Sequence, residues 1–102
     1  MILSAQQKQS LKNSLVSSLC REEEIRRIVI FGSFVRSDCP EDMDVAVFQD
    51  SDAPYLDLAM KYRGRTRDVS RQIPLDIIPL RHESPDFPFM REIESGETVY
   101  ER

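Results

Sequence analysis

Two cysteines, Cys20 and Cys39, are too few in 102 residues for a disulfide framework or a cysteine-based zinc site. They read as free thiols of a reducing compartment. No apolar run approaches the ~20 residues that a membrane-spanning helix requires. The opening MILSAQQKQSLKNS lacks a charged start followed by an apolar block, so no secretory signal is expected and a cytoplasmic protein is. Positive charge is also short: 14 Lys and Arg against 18 Asp and Glu leave a net charge of −4. That balance argues against a surface that grips nucleic acid as a whole. It still permits a local phosphate site, because a bound cation reverses the sign of a small acidic cleft. Internal repeats, low-complexity stretches and linkers are missing too, and one domain over residues 1–102 is expected. What remains, 40% hydrophobic and 31% charged residues, is the composition of a globular protein.

Periodicity supplies the elements. Leu11, Leu15 and Leu19 recur four apart between Ser4 and Cys20, with Leu3 and Val16 flanking the stripe, which predicts a helix. The β-branched run Ile28 to Phe31 predicts a strand buried on both faces, ending at Gly32. A polar turn, Ser37 to Glu41, leads into a second strand over Met43 to Phe48. Ser51 and Asp52 are both placed to cap a helix over Pro54 to Ile73, in which Gly64 is the weak point. Its stripe takes in Tyr55 and Tyr62 as core residues, and the basic run Lys61 to Arg67 falls largely on the solvated side, contact with phosphate or an acidic partner being the functional alternative. Leu75 to Leu80 predicts a third strand, placed at a sheet edge by Pro79. Pro85 and Pro88 break the chain again. A short helix over Phe89 to Ser95 is expected to close on a left-handed Gly96, and Thr98 to Tyr100 reads as a last strand. The fold class expected is α/β (α+β), with helices packed on a small mixed sheet.

Three features of this order carry chemistry. The first strand ends in Gly32-Ser33, the second begins with Asp42-Met43-Asp44, and the third contains Asp76. Residues i and i+2 of a strand face the same way, about 6.6 Å apart. The two metal ions of a phosphoryl-transfer site lie about 3.5–4 Å apart, so carboxylates leaning in from 42 and 44 can reach both. Mg²⁺ takes hard oxygen ligands and shares its shell with substrate phosphates. Asp76 would complete the ligand set and stand where an attacking hydroxyl needs a base. Asp76, between Leu75 and Ile77-Ile78, is expected to be buried, which is costly unless it is paired or metal-bound, a salt bridge or backbone hydrogen bonds being the plain alternative. Gly32 lets the backbone approach a ligand, and Ser33, opening a helical turn, would offer its N–H and hydroxyl to a phosphate. Gly-Ser alone is ordinarily a turn, and Asp-x-Asp alone a solvated pair. Their joint occurrence at this spacing is expected by chance in roughly one small chain in a few hundred. His82, the single histidine, falls on an exposed loop without a partner for acid–base work.

The segment GSFVRSDCPEDMDVAVF resembles the Gly-Ser…Asp-x-Asp signature of the DNA polymerase β-like nucleotidyltransferase superfamily. The short length is similar to its minimal nucleotidyltransferase (MNT) branch, and the likeness runs through the PLDII strand to the closing FMREIESGETVYER. The resemblance implies that Gly32, Ser33 and Arg36 bind the nucleotide. It implies that Asp42, Asp44 and Asp76 are the catalytic, metal-binding carboxylates, holding two Mg²⁺ ions with ATP or another NTP as substrate. Arg36 reads equally well as a surface arginine that orients the loop. Eight residues separate Ser33 from Asp42, a shorter loop than the family usually carries. Domains of this branch are often paired with a HEPN-domain toxin, for which they serve as antitoxin and to which they can transfer AMP on a tyrosine. The resemblance therefore implies AMP transfer to a protein hydroxyl. Two alternatives follow from the same residues: a module that neutralises its partner by occlusion alone, and a small-molecule nucleotidyltransferase. A homo-oligomer is compatible with either.

Overall fold

The computed structural model describes residues 2–83, 88 and 90–102. The chain runs α1 (Ala5–Leu19), β1 (Ile25–Phe31), α2 (Ser33–Arg36), β2 (Met43–Gln49), α3 (Tyr55–Arg65), α4 (Arg67–Ser70), β3 (Leu75–Arg81), α5 (Met90–Glu94) and β4 (Glu97–Glu101). The strands form one sheet in the order β3-β2-β1-β4. β1 pairs antiparallel with β2 and β4, while β2 and β3 run parallel, so the sheet is mixed as expected. No described helix is long and apolar enough to cross a membrane.

Alternation along the central strands divides the core in two. Ile28 and Ile30 of β1 with Val45 and Val47 of β2 meet Leu11, Leu15 and Leu19 of α1 and Leu58 and Tyr62 of α3 on one face. Val29, Phe31, Ala46 and Phe48 meet Ile93 of α5 on the other. Each such side chain, when fully buried, contributes about 1.5–3 kcal/mol of transfer free energy. The sheet is thus fastened from both sides, and its strand ends are held in register. α1 begins on the expected Ser4, in a reciprocal cap: Gln7 N–H donates to Ser4 Oγ (3.1 Å) and Ser4 N–H to Gln7 Oε1 (2.8 Å).

Several expectations change. β1 starts at Ile25, because Ile25 and Arg27 still pair with Gln49 and Phe48 of β2, and Arg27 with Glu101 of β4, while Arg26 stands in an irregularity of the register. Arg27 lays its guanidinium over the Phe48 ring at 4.3 Å, which accommodates its charge on that face. The helix expected over Pro54 to Ile73 breaks at Thr66 and not at Gly64. The buried Thr66 hydroxyl donates back to the Tyr62 carbonyl (2.8 Å), whereas Gly64 stands on an open face. Neither Ser51 nor Asp52 caps α3; Pro54 occupies the cap position with no side-chain bond, and Ser51 Oγ accepts from Ala53 N–H instead. Gly96 does not adopt the left-handed conformation. A side chain there is barred for another reason: a Cβ would lie 2.5 Å from the Ile30 carbonyl and 2.9 Å from Phe31 Cβ. β3 is an edge strand with Pro79 in it, as read. Phe89, taken as the start of the last helix, and Pro85 lie outside the described residues.

Candidate active site

The site begins where β1 ends. Gly32 has φ 76° and ψ −150°, the only positive φ among the described residues. Its missing side chain matters twice, since a Cβ there would stand 2.6 Å from Asp44 Oδ2. Ser33 then opens α2, a single turn that Phe34 pins by complete burial. α1 fixes this turn from behind. Lys8 Nζ donates to the carbonyls of Phe34 (2.8 Å) and Ser37, and Leu3 N–H donates to the Asp38 carbonyl (2.9 Å). Val35 N–H donates to the Gly32 carbonyl (3.2 Å), and the N–H groups of Ser33 and Phe34 are those that a helix start leaves without an intrahelical partner.

Strand register assembles the carboxylates. Phe31 of β1 stands opposite Asp44 of β2, and Asp44 opposite Asp76 of β3, so the three form a row across the sheet on one face. Asp42 precedes β2 by one residue and shares that side with Asp44. Each of Asp42, Asp44 and Asp76 offers a carboxylate oxygen, and these oxygens lie within 4.8 Å of one another. Among the described residues this is the only such trio. The donors are all hard oxygens, the set that suits Mg²⁺ and not a soft metal. Asp42 and Asp44 are half-buried, but Asp76 is exposed. The expectation that Asp76 is buried at a cost is therefore wrong. β3 is an edge strand, and its second residue lies beyond the rows that pack. Asp44 is the strained member: burial, then the charges of Asp42 and Asp76, a shared hydrogen bond with Asp76 and the charge of Glu92 push its pKa up to about 6.

An open cleft of about 370 Å³ adjoins the trio, walled by Phe31, Asp44, Asp76, Ile77 and Ile78 of the sheet, Tyr55 and Arg63 of α3, and Glu92 of α5. Gly32, Ser33, Arg36 and Asp42 are not among its walls. Gly32 touches Asp44 from the side, Ser33 and Arg36 are exposed on α2, and Arg36 makes no ion pair among the described residues. Larger hollows, such as the groove of about 490 Å³ along Gln6, Gln9, Ser10 and Asn13 of α1, contain no carboxylate trio. Three cleft residues were not placed at the site by the sequence. Tyr55, expected in the core, is 56% exposed, because it stands on the first turn of α3 beyond the packed stripe. Arg63 was merged with its basic neighbours, yet Lys61 and Arg65 turn away to pair with Glu22 and Glu24 (2.7–3.2 Å) while Arg63 turns to the cleft. A helical wheel separates Arg63 from Lys61 and Arg65 by more than a right angle, the one signal that distinguishes them. Glu92 carried no sequence signal.

Comparison with known proteins places the fold. Residues 13–102 match the family described as polymerase beta, nucleotidyltransferase. Among curated proteins, none matches. Several solved structures share the fold. One is a tri-AMPylated HEPN toxin of Shewanella oneidensis in complex with an MNT antitoxin (18% identity, 93% of this chain and 73% of that one, TM-score 0.63). A second is the MntA–HepT toxin–antitoxin (17% identity, 92% and 73%, TM-score 0.60). A third is a candidate nucleotidyltransferase from Sulfolobus solfataricus (18% identity, 95% and 82%, TM-score 0.58). With a family match over nearly all of its residues, and a fold shared with MNT antitoxins, the chain belongs to the polymerase β nucleotidyltransferase family.

Proposed function

We propose that the protein transfers a nucleoside monophosphate, AMP from ATP, to a hydroxyl of a separate protein, as the antitoxin of a cytoplasmic HEPN/MNT pair. The observation that carries this is the trio of carboxylate oxygens within 4.8 Å, with Gly32 pressed against one of them. Asp42 and Asp44 would hold two Mg²⁺ ions, with Asp76 completing the set. When bound, Mg²⁺ supplies charge neutralisation at the phosphate oxygens. Gly32 admits the triphosphate to the backbone, and Ser33 donates its N–H and hydroxyl to it. Arg36 adds a cation on the same turn. The acceptor oxygen bonds to the α-phosphorus, the bond from that phosphorus to the β-bridging oxygen breaks, and pyrophosphate leaves. Asp76 takes the hydroxyl proton.

One structural neighbour, a tri-AMPylated HEPN toxin in complex with an MNT antitoxin, supports the choice of AMP and of a protein acceptor. The test is incubation with ATP labelled at the α-phosphate, Mg²⁺ and a HEPN-type partner. Label is expected on the partner and is expected to vanish in Asp42→Ala/Asp44→Ala. Equal labelling by that variant sinks the proposal. Neutralisation of the partner by the unlabelling variant would instead establish occlusion as the mechanism.

A further inference from the structure

Nucleotidyl transfer is an in-line displacement, with the attacking and leaving oxygens on opposite sides of the phosphorus. The sheet orders the site along one direction: Gly32-Ser33 at the end of β1, then Asp44 of β2, then Asp76 of the edge strand β3; α3 packs on the opposite face of the sheet and reaches the cleft at that edge through Tyr55 and Arg63. If pyrophosphate departs toward Gly32-Ser33, the acceptor must enter over Asp76, from the side that α3 borders. Resting on the functional reading above, we infer that the outer side of α3 is the docking surface for the acceptor. Its occupant is a polypeptide segment that carries a large apolar side chain and a carboxylate close to its reacting hydroxyl.

Two features of α3 specify that chemistry. Tyr55, Leu56 and Met60 are 56%, 62% and 62% exposed, three of the five large apolar side chains open to solvent among the described residues. Leu56, Met60 and Arg63 follow the spacing i, i+4, i+7 and form one ridge, with Arg63 and Tyr55 also walling the cleft. Isolated exposed apolar residues are ordinary, but a ridge continuous with a reactive cleft marks a contact surface. Tyr, Met and Arg are the residue types enriched at such surfaces. Charge supplies the second feature. Lys61 and Arg65 are neutralised by Glu22 and Glu24, whereas Arg63 has no ion pair among the described residues. It does not neutralise the aspartate trio either, although it borders the same cleft. An unpaired guanidinium at the end of an apolar ridge selects a carboxylate on the incoming segment.

The probe is a synthetic peptide with a tyrosine flanked by leucine and two glutamates. Companion peptides carry lysine for glutamate and glycine for leucine. Peptide binding is read by fluorescence anisotropy, ATP binding by calorimetry, and transfer by label from α-labelled ATP. Met60→Glu and Arg63→Glu are expected to weaken binding of the acidic peptide about tenfold or more, with ATP affinity within about twofold of wild type. Arg63→Glu is further expected to favour the lysine peptide. These side chains are exposed, and matching unfolding midpoints will show that the variants fold. Peptide binding indifferent to both variants overturns the surface, as does ATP affinity that falls with Arg63. Absence of wild-type binding, or label passing to an oligonucleotide or aminoglycoside but not to peptide, also overturns it. Peptide bound in an α3-dependent way but never labelled keeps the surface and defeats the transfer reading. Labelling insensitive to α3 does the reverse.

Discussion

Glu22 and Glu24 meet cations; Asp42, Asp44 and Asp76 meet one another. The first pair precedes β1, the trio gathers at the other end of that strand, and both are drawn from the same ordinary carboxylates. Glu24 receives Lys61 Nζ at 2.7 Å and the Tyr62 hydroxyl at 2.9 Å. Burial pushes its pKa up, but those donors and its own backbone outweigh burial and hold it below its ordinary 4.5. The same contact raises Lys61, and burial together with Glu24 raises Tyr62. Asp44 has no such compensation, and its pKa climbs to about 6. One cluster is complete within the protein and stabilises the junction of α3 with the start of β1. The other is incomplete, and the divalent cation proposed above would bring its missing positive charge. A carboxylate cluster therefore reports a ligand only when the fold withholds its counter-charges.

The comparison can be broken by substitutions that act on one cluster alone. The largest expected effect is on activity. Asp44→Asn should reduce label transfer by about 100-fold or more while leaving the unfolding midpoint of the metal-free protein unchanged or raised. Full activity in that variant would remove the trio from the chemistry. Next is Gly32→Ala, which introduces a Cβ 2.6 Å from Asp44 Oδ2 at a positive φ. It should cost about 1–3 kcal/mol in urea unfolding and displace Asp44, lowering transfer as well. Glu24→Gln or Tyr62→Phe should cost about 1 kcal/mol of stability, with transfer by the folded protein near wild type. A fall in transfer as large as that of Asp44→Asn would erase the division between the clusters.

The smallest effect is the most diagnostic, because the two clusters respond to pH with opposite sign. Asp44 binds its proton more tightly folded (about 6) than unfolded (3.8), so its ionisation penalises the fold above pH 6. That penalty is relieved as pH falls from 6 toward 4. Glu24, held below 4.5, stabilises above that value and loses its contribution as pH falls through its lowered folded pKa. The difference in unfolding free energy between wild type and Asp44→Asn should therefore shift toward wild type on acidification between pH 6 and 4. Saturating Mg²⁺ should cancel that slope, since a bound cation keeps the carboxylate ionised. A slope unaffected by Mg²⁺ would mean that the trio holds no metal.

Much of this was legible in the sequence because local physics dictated it. The leucines at 11, 15 and 19 specify the buried side of α1, and Ile28 to Phe31 alternate between two cores as a doubly buried strand must. Gly-Ser, Asp-x-Asp and Asp76 lie on strand ends that any mixed sheet of these elements can bring together, so the trio was readable as a set. Burial, however, does not single out Asp76. Apolar neighbours in sequence say nothing about which row of an edge strand is covered, and its carboxylate is exposed. Tyr55 and Arg63 were misjudged for a related reason, since a helical wheel gives the side on which a residue lies but not where the opposing layer stops. Thr66 and Gly96 were decided by contacts remote in sequence or by a side chain turned back on its own helix. The sequence by itself determined the strands, the buried stripes and the residue types able to hold a cation. Only the tertiary structure decided which carboxylates find counter-charges, because pairing depends on what register and packing place within a few ångströms.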